Sequence, residues 1–314
     1  MSHPAGLRVR AAGLEFQNPI VLAAGTAGYG HELAGVMDLT VLGGLVTKAV
    51  SRDARAGAPA PRVADFEGGM INAVGLANPG LDEVCRSHLP WLAAQIPGTR
   101  KLVNVVGFVV DEFADVVKGL EASEHAARAI DGYELNVSCP NTKAGGMEFG
   151  ADDTALSAVV VRTRNATKRP LFVKLSPTLP DIARTARIAV EAGADGITVV
   201  NTVPGLVIDV ETRRPALGFG TGGVSGGAIL PVGVLATWRV SRAVSVPVIG
   251  LGGVRTATDA VQYILAGASL VGMGTAAMRD PRQPERVVRD LARWCGAHGV
   301  ADLASIRGTL NWPA

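Results

Sequence analysis

The chain has 314 residues, of which 48% are hydrophobic and 4% aromatic, and a formal net charge of +2. That length suits one large α/β domain whose core needs no covalent staples, and the scattered charge and sparse aromatics offer neither a footprint nor a stacking surface for nucleic acid. The three cysteines, Cys85, Cys139 and Cys295, lack paired spacing; they read as reduced thiols of a cytoplasmic protein and are too few for an iron–sulfur cluster of the chain's own.

In chain order, the N-terminus has no basic stretch followed by an apolar one, so no signal peptide is expected. Residues 7–14 read as a short hairpin closing a barrel floor. Beyond it, short β-branched runs alternate with longer Ala-rich amphipathic runs, the pattern of βα units around a parallel sheet. Strands are expected near residues 19–25, 42–48, 102–107, 133–138, 171–176, 196–201, 247–253 and 270–275. Helices are expected at 111–130, 152–167, 181–192, 232–243 and 256–266, most beginning on acidic or hydroxyl residues that suit caps. The connections 49–101, with a helix around 81–94, and 202–246 are too long for ordinary βα loops and suit binding or lid roles. No apolar run is long enough for a transmembrane helix. Eight βα units with no domain-sized linker predict a single (β/α)8 TIM barrel over residues 1–314, with an N-terminal hairpin and long active-site loops.

In such a barrel every strand ends at one mouth, where catalytic side chains collect. The second strand ends in Lys48, the third carries Asn104, and the fourth ends in Asn136 and then Cys139, followed by Pro140 and Asn141. The fifth ends in Lys174, the sixth in Asn201 and Thr202, and the last two in Gly252-Gly253 and Gly274-Thr275. Any one of these side chains would serve merely to satisfy loop backbone. Together at one face they predict a pocket.

Cys139 could act there as nucleophile, base, metal ligand or inert filler. The two glycine turns, bare of side chains, suit a phosphate. Lys174 lies in the core-like run Leu171-Phe172-Val173-Lys174-Leu175, where a charge needs an anion: a buried carboxylate, or an anionic ring such as reduced flavin. Asn72, between apolar neighbours, suits the edge of a heteroaromatic ring, while Asn78-Pro79-Gly80 is a turn by itself. Cys85 and Cys295 fall on helical runs and read as packing. The five histidines show no metal-ligand spacing and none ends a strand, which indicates neither a zinc site nor a Cys–His dyad.

These residues resemble the class 1 dihydroorotate dehydrogenases over nearly the whole chain, and more closely the 1B, NAD-linked type. The resemblance rests on Leu22–Thr26 with Gly28-Tyr29-Gly30, Thr47-Lys48-Ala49, Pro61–Ala64, Asn72–Gly80 and Glu134–Asn141. It continues through Lys174–Pro177, Asn201-Thr202, Gly220–Gly226, Gly250–Val254 and Gly272–Thr275. It implies oxidation of dihydroorotate to orotate in pyrimidine biosynthesis, with Cys139 as base and FMN as cofactor. FMN would contact Ala24, Lys48, Ala49, Asn104, Asn136, Lys174, Val200, Gly226, Gly252, Gly253, Gly274 and Thr275. The substrate would meet Lys48, Asn72, Ala73, Val74, Gly75, Leu76, Asn136, Asn201 and Thr202.

Relatives often have Ser where this chain has Ala24, so a hydroxyl contact to the flavin is absent. The resemblance further implies a partner subunit carrying FAD and a [2Fe-2S] cluster that passes electrons to NAD, with a homodimer inside a heterotetramer. The alternatives are a fumarate-linked 1A enzyme, a dihydropyrimidine dehydrogenase-like barrel acting on uracil or thymine, a sugar-phosphate isomerase or aldolase, and a non-catalytic flavin subunit.

Overall fold

A computed structural model describes residues 5–138 and 148–313. Eight strands close into a parallel barrel: β1 (Ile20–Leu22), β2 (Gly44–Val46), β3 (Arg100–Val105), β4 (Gly132–Asn136), β5 (Leu171–Leu175), β6 (Gly196–Val199), β7 (Val248–Leu251) and β8 (Leu270–Met273). They pair in chain order, and β8 closes on β1. Each overlaps a stretch that the sequence marks as a strand. Strands covered on both faces read as continuous apolar runs, which is why these segments are legible. The fold is the (β/α)8 barrel that the alternating pattern predicts.

Helices α1 (Val110–Ala122), α2 (Asp153–Ala166), α3 (Ile182–Glu191), α4 (Leu230–Ser241), α5 (Ala257–Leu265) and α6 (Gln283–Ala297) pack outside. The caps are those the sequence signals. Asp152 accepts from the Ala155 amide at 2.7 Å, and Asp181 accepts from the Arg184 amide at 2.9 Å. Thr256 and Asp259 form a reciprocal capping box at the start of α5.

Two helices depart from expectation. The stretch 111–130 is not one helix: Ser123 takes an extended conformation and caps a separate short helix, Glu124–Ala127, through the Ala126 amide. A serine hydroxyl competes for backbone amides and so favours such a break. The helix near 81–94 runs as Leu81–Glu83, a π turn at Val84–His88, and Leu89–Gln95. Pro90 has no N–H for an ordinary i to i−4 bond at that junction.

The barrel interior is apolar below and polar above. At the floor, the hairpin strands Val9–Ala11 and Leu14–Phe16, two residues beyond the expected stretch, place Phe16 against Val21, Val46, Leu102, Phe172, Ile249 and Leu270. Gly196 gives the Phe172 ring its room, since a Cβ at that position would lie 2.3 Å from it. Strand side chains alternate faces. Two residues above Leu102, Phe172 and Gly196 therefore stand Asn104, Lys174 and Thr198, all buried.

The two long connections meet each other over the mouth. Val63–Phe66 and Gly69–Asn72 come from the first, Val203–Gly205 and Gly222–Ser225 from the second. Together they form a four-stranded sheet in which Ile71 pairs with Val224. Among the described residues no helix is long and apolar enough to cross a membrane.

Candidate active site at the barrel mouth

The upper interior layer is a ring of buried polar side chains: Asn104, Glu134, Asn136, Lys174 and Thr198. Register holds them together, with Asn104 beside Glu134, Asn136 beside Lys174, and Lys174 beside Thr198 on successive strands. Asn104 Nδ2 donates to Glu134 Oε1 at 2.8 Å, and the Asn104 amide donates to Thr47 Oγ1 at 3.2 Å. Two atoms of the ring are left over. Asn104 Oδ1 and Thr198 Oγ1 are buried with no hydrogen-bond partner. A buried polar group without a partner costs free energy, and such groups are rare in native proteins.

Lys174 is the larger anomaly, and Lys101 supplies the contrast. Both are buried, at 6% and 4% exposure. Lys101 Nζ donates to the carbonyls of Ile96 at 3.1 Å and Thr99 at 2.9 Å, and lies 3.9 Å from Asp131. None of the described ion pairs or hydrogen bonds engages the Lys174 ammonium. Residues 139–147 carry no acid that could pair with it. No described carboxylate, the buried Glu134 included, forms an ion pair with Lys174.

At the end of β2, Lys48 is half-buried. Its amide donates to Gly28 O at 2.8 Å, and the buried Tyr29 hydroxyl donates to Ala49 O at 3.0 Å. The loop after β1, which carries half-buried Ala24, thus fixes the end of β2. Past β4, Ser138 Oγ donates to Asn136 Oδ1 at 3.1 Å and accepts from Asn201 Nδ2 at 2.8 Å. Ser138 is therefore the hinge pin between the asparagines of β4 and the β6 loop. Asn201 Oδ1 also accepts from the Thr202 amide at 2.9 Å, and Val200, fully buried, donates its amide to Leu251 O at 3.1 Å.

The Asn72–Leu76 segment is held from the loop side. Asn72 Nδ2 donates to Gly223 O at 3.3 Å, the Ala73 amide donates to Arg62 O at 2.8 Å, and Val74 O accepts from the Ala58 amide at 3.1 Å. Gly75 and Leu76 both adopt positive φ, at 70° and 57°. That conformation costs about 1–2 kcal/mol for a side chain such as Leu. Asn78 holds the turn. Its Nδ2 donates to Leu76 O and Ser51 Oγ, both at 2.8 Å, and its Oδ1 accepts from the amides of Gly80 at 2.9 Å and Ser51 at 3.3 Å. Asn78 is therefore more than a turn former: it clamps two parts of the first long connection.

The glycine turns after β7 and β8 come together with the β-loop residue Gly226. A Cβ on Gly226 would fall 2.7 Å from Gly69 Cα and 3.5 Å from Thr275 Cγ2. Thr275 Oγ1 donates to Ser225 Oγ at 2.8 Å. Among the described residues no acceptor takes the amides of Gly252, Gly253 or Gly274. The short helix Thr275–Arg279 opens at Gly274 with no side chain capping it. Free amides beside a bare helix start form an anion cradle. The cradle, the unpaired Lys174 ammonium and the Asn104 carbonyl fit the phosphate, the anionic edge and the ring donors of a flavin mononucleotide.

Cys139 lies outside the described residues. Cys295 is core, and Cys85 is partly buried against the core; burial pushes both thiols up from the ordinary range. That suits packing rather than a reactive thiolate. Glu148, just past the undescribed stretch, has a buried Oε1 with no partner, and burial pushes its carboxyl up to about 7. Sequence reasoning passed over Ser138, Thr198, Asn78 as a clamp, and Glu134 except as part of a motif. Alternation from Asn136 and Lys174 would have found Glu134 and directed attention to Thr198. The links through Ser138 and Asn78 depend on loops meeting in space.

The family described as dihydroorotate dehydrogenase matches residues 6–294 of the chain. A Pelobacter propionicus protein named dihydroorotate dehydrogenase B (NAD(+)), catalytic subunit, is 43% identical over 305 residues, which is 97% of this chain and 98% of the relative. A Trichlorobacter lovleyi protein of the same name is 42% identical over 305 residues, with the same coverage of both chains. A Solibacter usitatus protein provisionally named dihydroorotate dehydrogenase A (fumarate) is 44% identical over 300 residues, 96% of this chain and 97% of the relative.

Proposed function

The chain belongs to the dihydroorotate dehydrogenase family, and from that premise we propose that it oxidises dihydroorotate to orotate with FMN as cofactor and Cys139 as base. The observation that carries the reading is the buried side chain of Lys174, whose ammonium no described ion pair or hydrogen bond engages, inside a barrel of this family. Bound FMN supplies the acceptor for the hydride leaving C6 of the substrate. The chain's residues do the rest. Gly226, Gly252, Gly253, Gly274 and Thr275 hold the phosphate. Lys174 and Asn104 face the ring, and Ala24, Lys48, Ala49, Asn136 and Val200 line its place.

Dihydroorotate is held by Lys48, which pairs with its carboxylate, and by Asn72, Asn136 and Asn201, whose amides match the alternating donors and acceptors of the ring. Thr202 and the Ala73–Leu76 backbone complete the enclosure. Cys139 takes the C5 proton. A free thiol has a pKa near about 8.5, so the rate rises toward alkaline pH.

The NAD-linked arrangement is our reading of electron delivery. It is supported by the names of the Pelobacter and Trichlorobacter relatives and by the lack of a convincing Gly-x-Gly-x-x-Gly nicotinamide fingerprint here. A cytoplasmic partner subunit carrying FAD and a [2Fe-2S] cluster then receives the electrons.

The test uses the purified chain. Denaturation releases FMN rather than FAD, and dihydroorotate, not uracil, bleaches the flavin. The chain alone reduces artificial acceptors but uses NAD poorly. Cys139→Ser keeps FMN and orotate binding and slows bleaching by about 10²–10⁴-fold, whereas Cys85→Ser and Cys295→Ser leave it near normal. Equal bleaching by Cys139→Ser and the parent refutes the base. Fast NAD reduction or fumarate turnover by the lone chain refutes the partner.

A further inference from the structure

Tyr263 lies on α5, outside the barrel, and is fully buried. Its ring runs inward between α4 and β7 through a slot that two glycines leave open. A Cβ on Gly250 would lie 2.4 Å from the Tyr263 ring, and one on Gly233 would lie 2.0 Å from its hydroxyl oxygen. Gly233 stands inside helix α4, where glycine is disfavoured relative to alanine, so its presence answers to that slot. At the end of the slot the Tyr263 hydroxyl donates to Gly252 O at 2.6 Å. Burial raises the phenol well above its ordinary range, which keeps it protonated and a donor.

The bonded carbonyl belongs to the peptide unit joining Gly252 to Gly253. In a trans peptide the C=O and the following N–H point in opposite directions. Holding the carbonyl toward α5 therefore turns the Gly253 N–H the other way, and no described acceptor takes it. The two glycines have φ of 128° and 74°, conformations that leave the plane freer than other residues would, and Gly253 packs against the Leu230 backbone. Asp259, one turn before Tyr263, fixes the next amides by accepting from Arg255 at 2.9 Å and Thr256 at 3.0 Å.

We propose that Tyr263 is a positioning residue for the cofactor phosphate: its hydroxyl locks the Gly252–Gly253 peptide so that the Gly253 N–H stays aimed into the anion cradle. This rests on the FMN reading above. The consequence is selective. Only a ligand with a phosphate gains from the locked plane, whereas the flavin ring is held by other residues.

The test compares flavin-free parent and Tyr263→Phe in fluorescence titrations with FMN and with riboflavin, which has the same ring and no phosphate. The variant should lose about tenfold in FMN affinity, equivalent to about 1.4 kcal/mol, with riboflavin affinity unchanged within about twofold. Gly233→Ala, which crowds the same hydroxyl and the Leu251 carbonyl from α4, should shift the FMN-to-riboflavin ratio the same way, with circular dichroism confirming that both variants fold. A Tyr263→Phe protein that keeps the parent's ratio, or loses both ligands equally, overturns the positioning role while leaving the FMN reading intact. A parent that binds neither flavin overturns both.

Discussion

Replacing Lys174 by Met should stabilise the flavin-free protein and impair the flavin-loaded one. Methionine keeps most of the side-chain volume and removes the charge. The side chain is 6% exposed and no described group pairs with its ammonium, so in the empty barrel the charge gains no protein partner to offset its partial burial. Replacing buried charge by apolar groups of similar size is worth up to about 1–4 kcal/mol. A chain of 314 residues unfolds with an entropy of about 0.7 kcal/mol per kelvin. The melting temperature of the flavin-free variant should therefore rise by roughly 1.5–6 °C. Lys101→Met is the internal control. Its ammonium is engaged by Ile96 O and Thr99 O, so removing it takes a donor from both carbonyls, leaving Ile96 O only the Thr99 amide at 3.3 Å, and lowers the melting temperature. Calorimetry of both flavin-free variants, paired with FMN titration, is the assay. Opposite shifts, together with weaker FMN binding by Lys174→Met alone, are expected. A lowered melting temperature in Lys174→Met, or parent-like FMN affinity, would refute the reasoning.

Asn78→Ala removes the clamp between Leu76, Gly80 and Ser51, costing about 2–4 kcal/mol locally. KM for dihydroorotate should rise tenfold or more, about 1.4 kcal/mol, while FMN is retained; an unchanged KM would show that the clamp does not serve the substrate loop. Glu148 gives a pH signature. Its carboxyl is raised to about 7 in the folded chain from an ordinary 4.5, so the folded state holds the proton more tightly. Stability is then full below about 4.5 and falls as pH rises toward about 7. Glu148→Gln should flatten that fall in denaturant titrations across this window, and an unaltered slope would remove Glu148 as its source.

Much of this protein is legible along the chain because its causes are local. Strands covered on both faces must be continuous apolar runs, so 171–175 and 270–273 announce themselves. Asp152, Asp181 and Thr256 cap the helices they precede because capping is settled within one turn. The glycine turns at 252–253 and 274 stand out because absent side chains are visible in any sequence.

Partnership is another matter. Lys101 and Lys174 both sit in strand runs as buried lysines, and the letters alone do not separate them. The fold decides, giving Lys101 two carbonyls and leaving Lys174 with no described ion pair, the nearby Glu134 being bonded to Asn104 instead. The sheet over the mouth pairs Ile71 with Val224, residues whose contact no local propensity encodes. The slot that brings Tyr263 to Gly252 needs glycines on both α4 and β7. Period, capping and turn chemistry act over a few residues and belong to the sequence. Burial, charge compensation and the aim of a peptide plane depend on which distant segments meet, and only the closed barrel settles that.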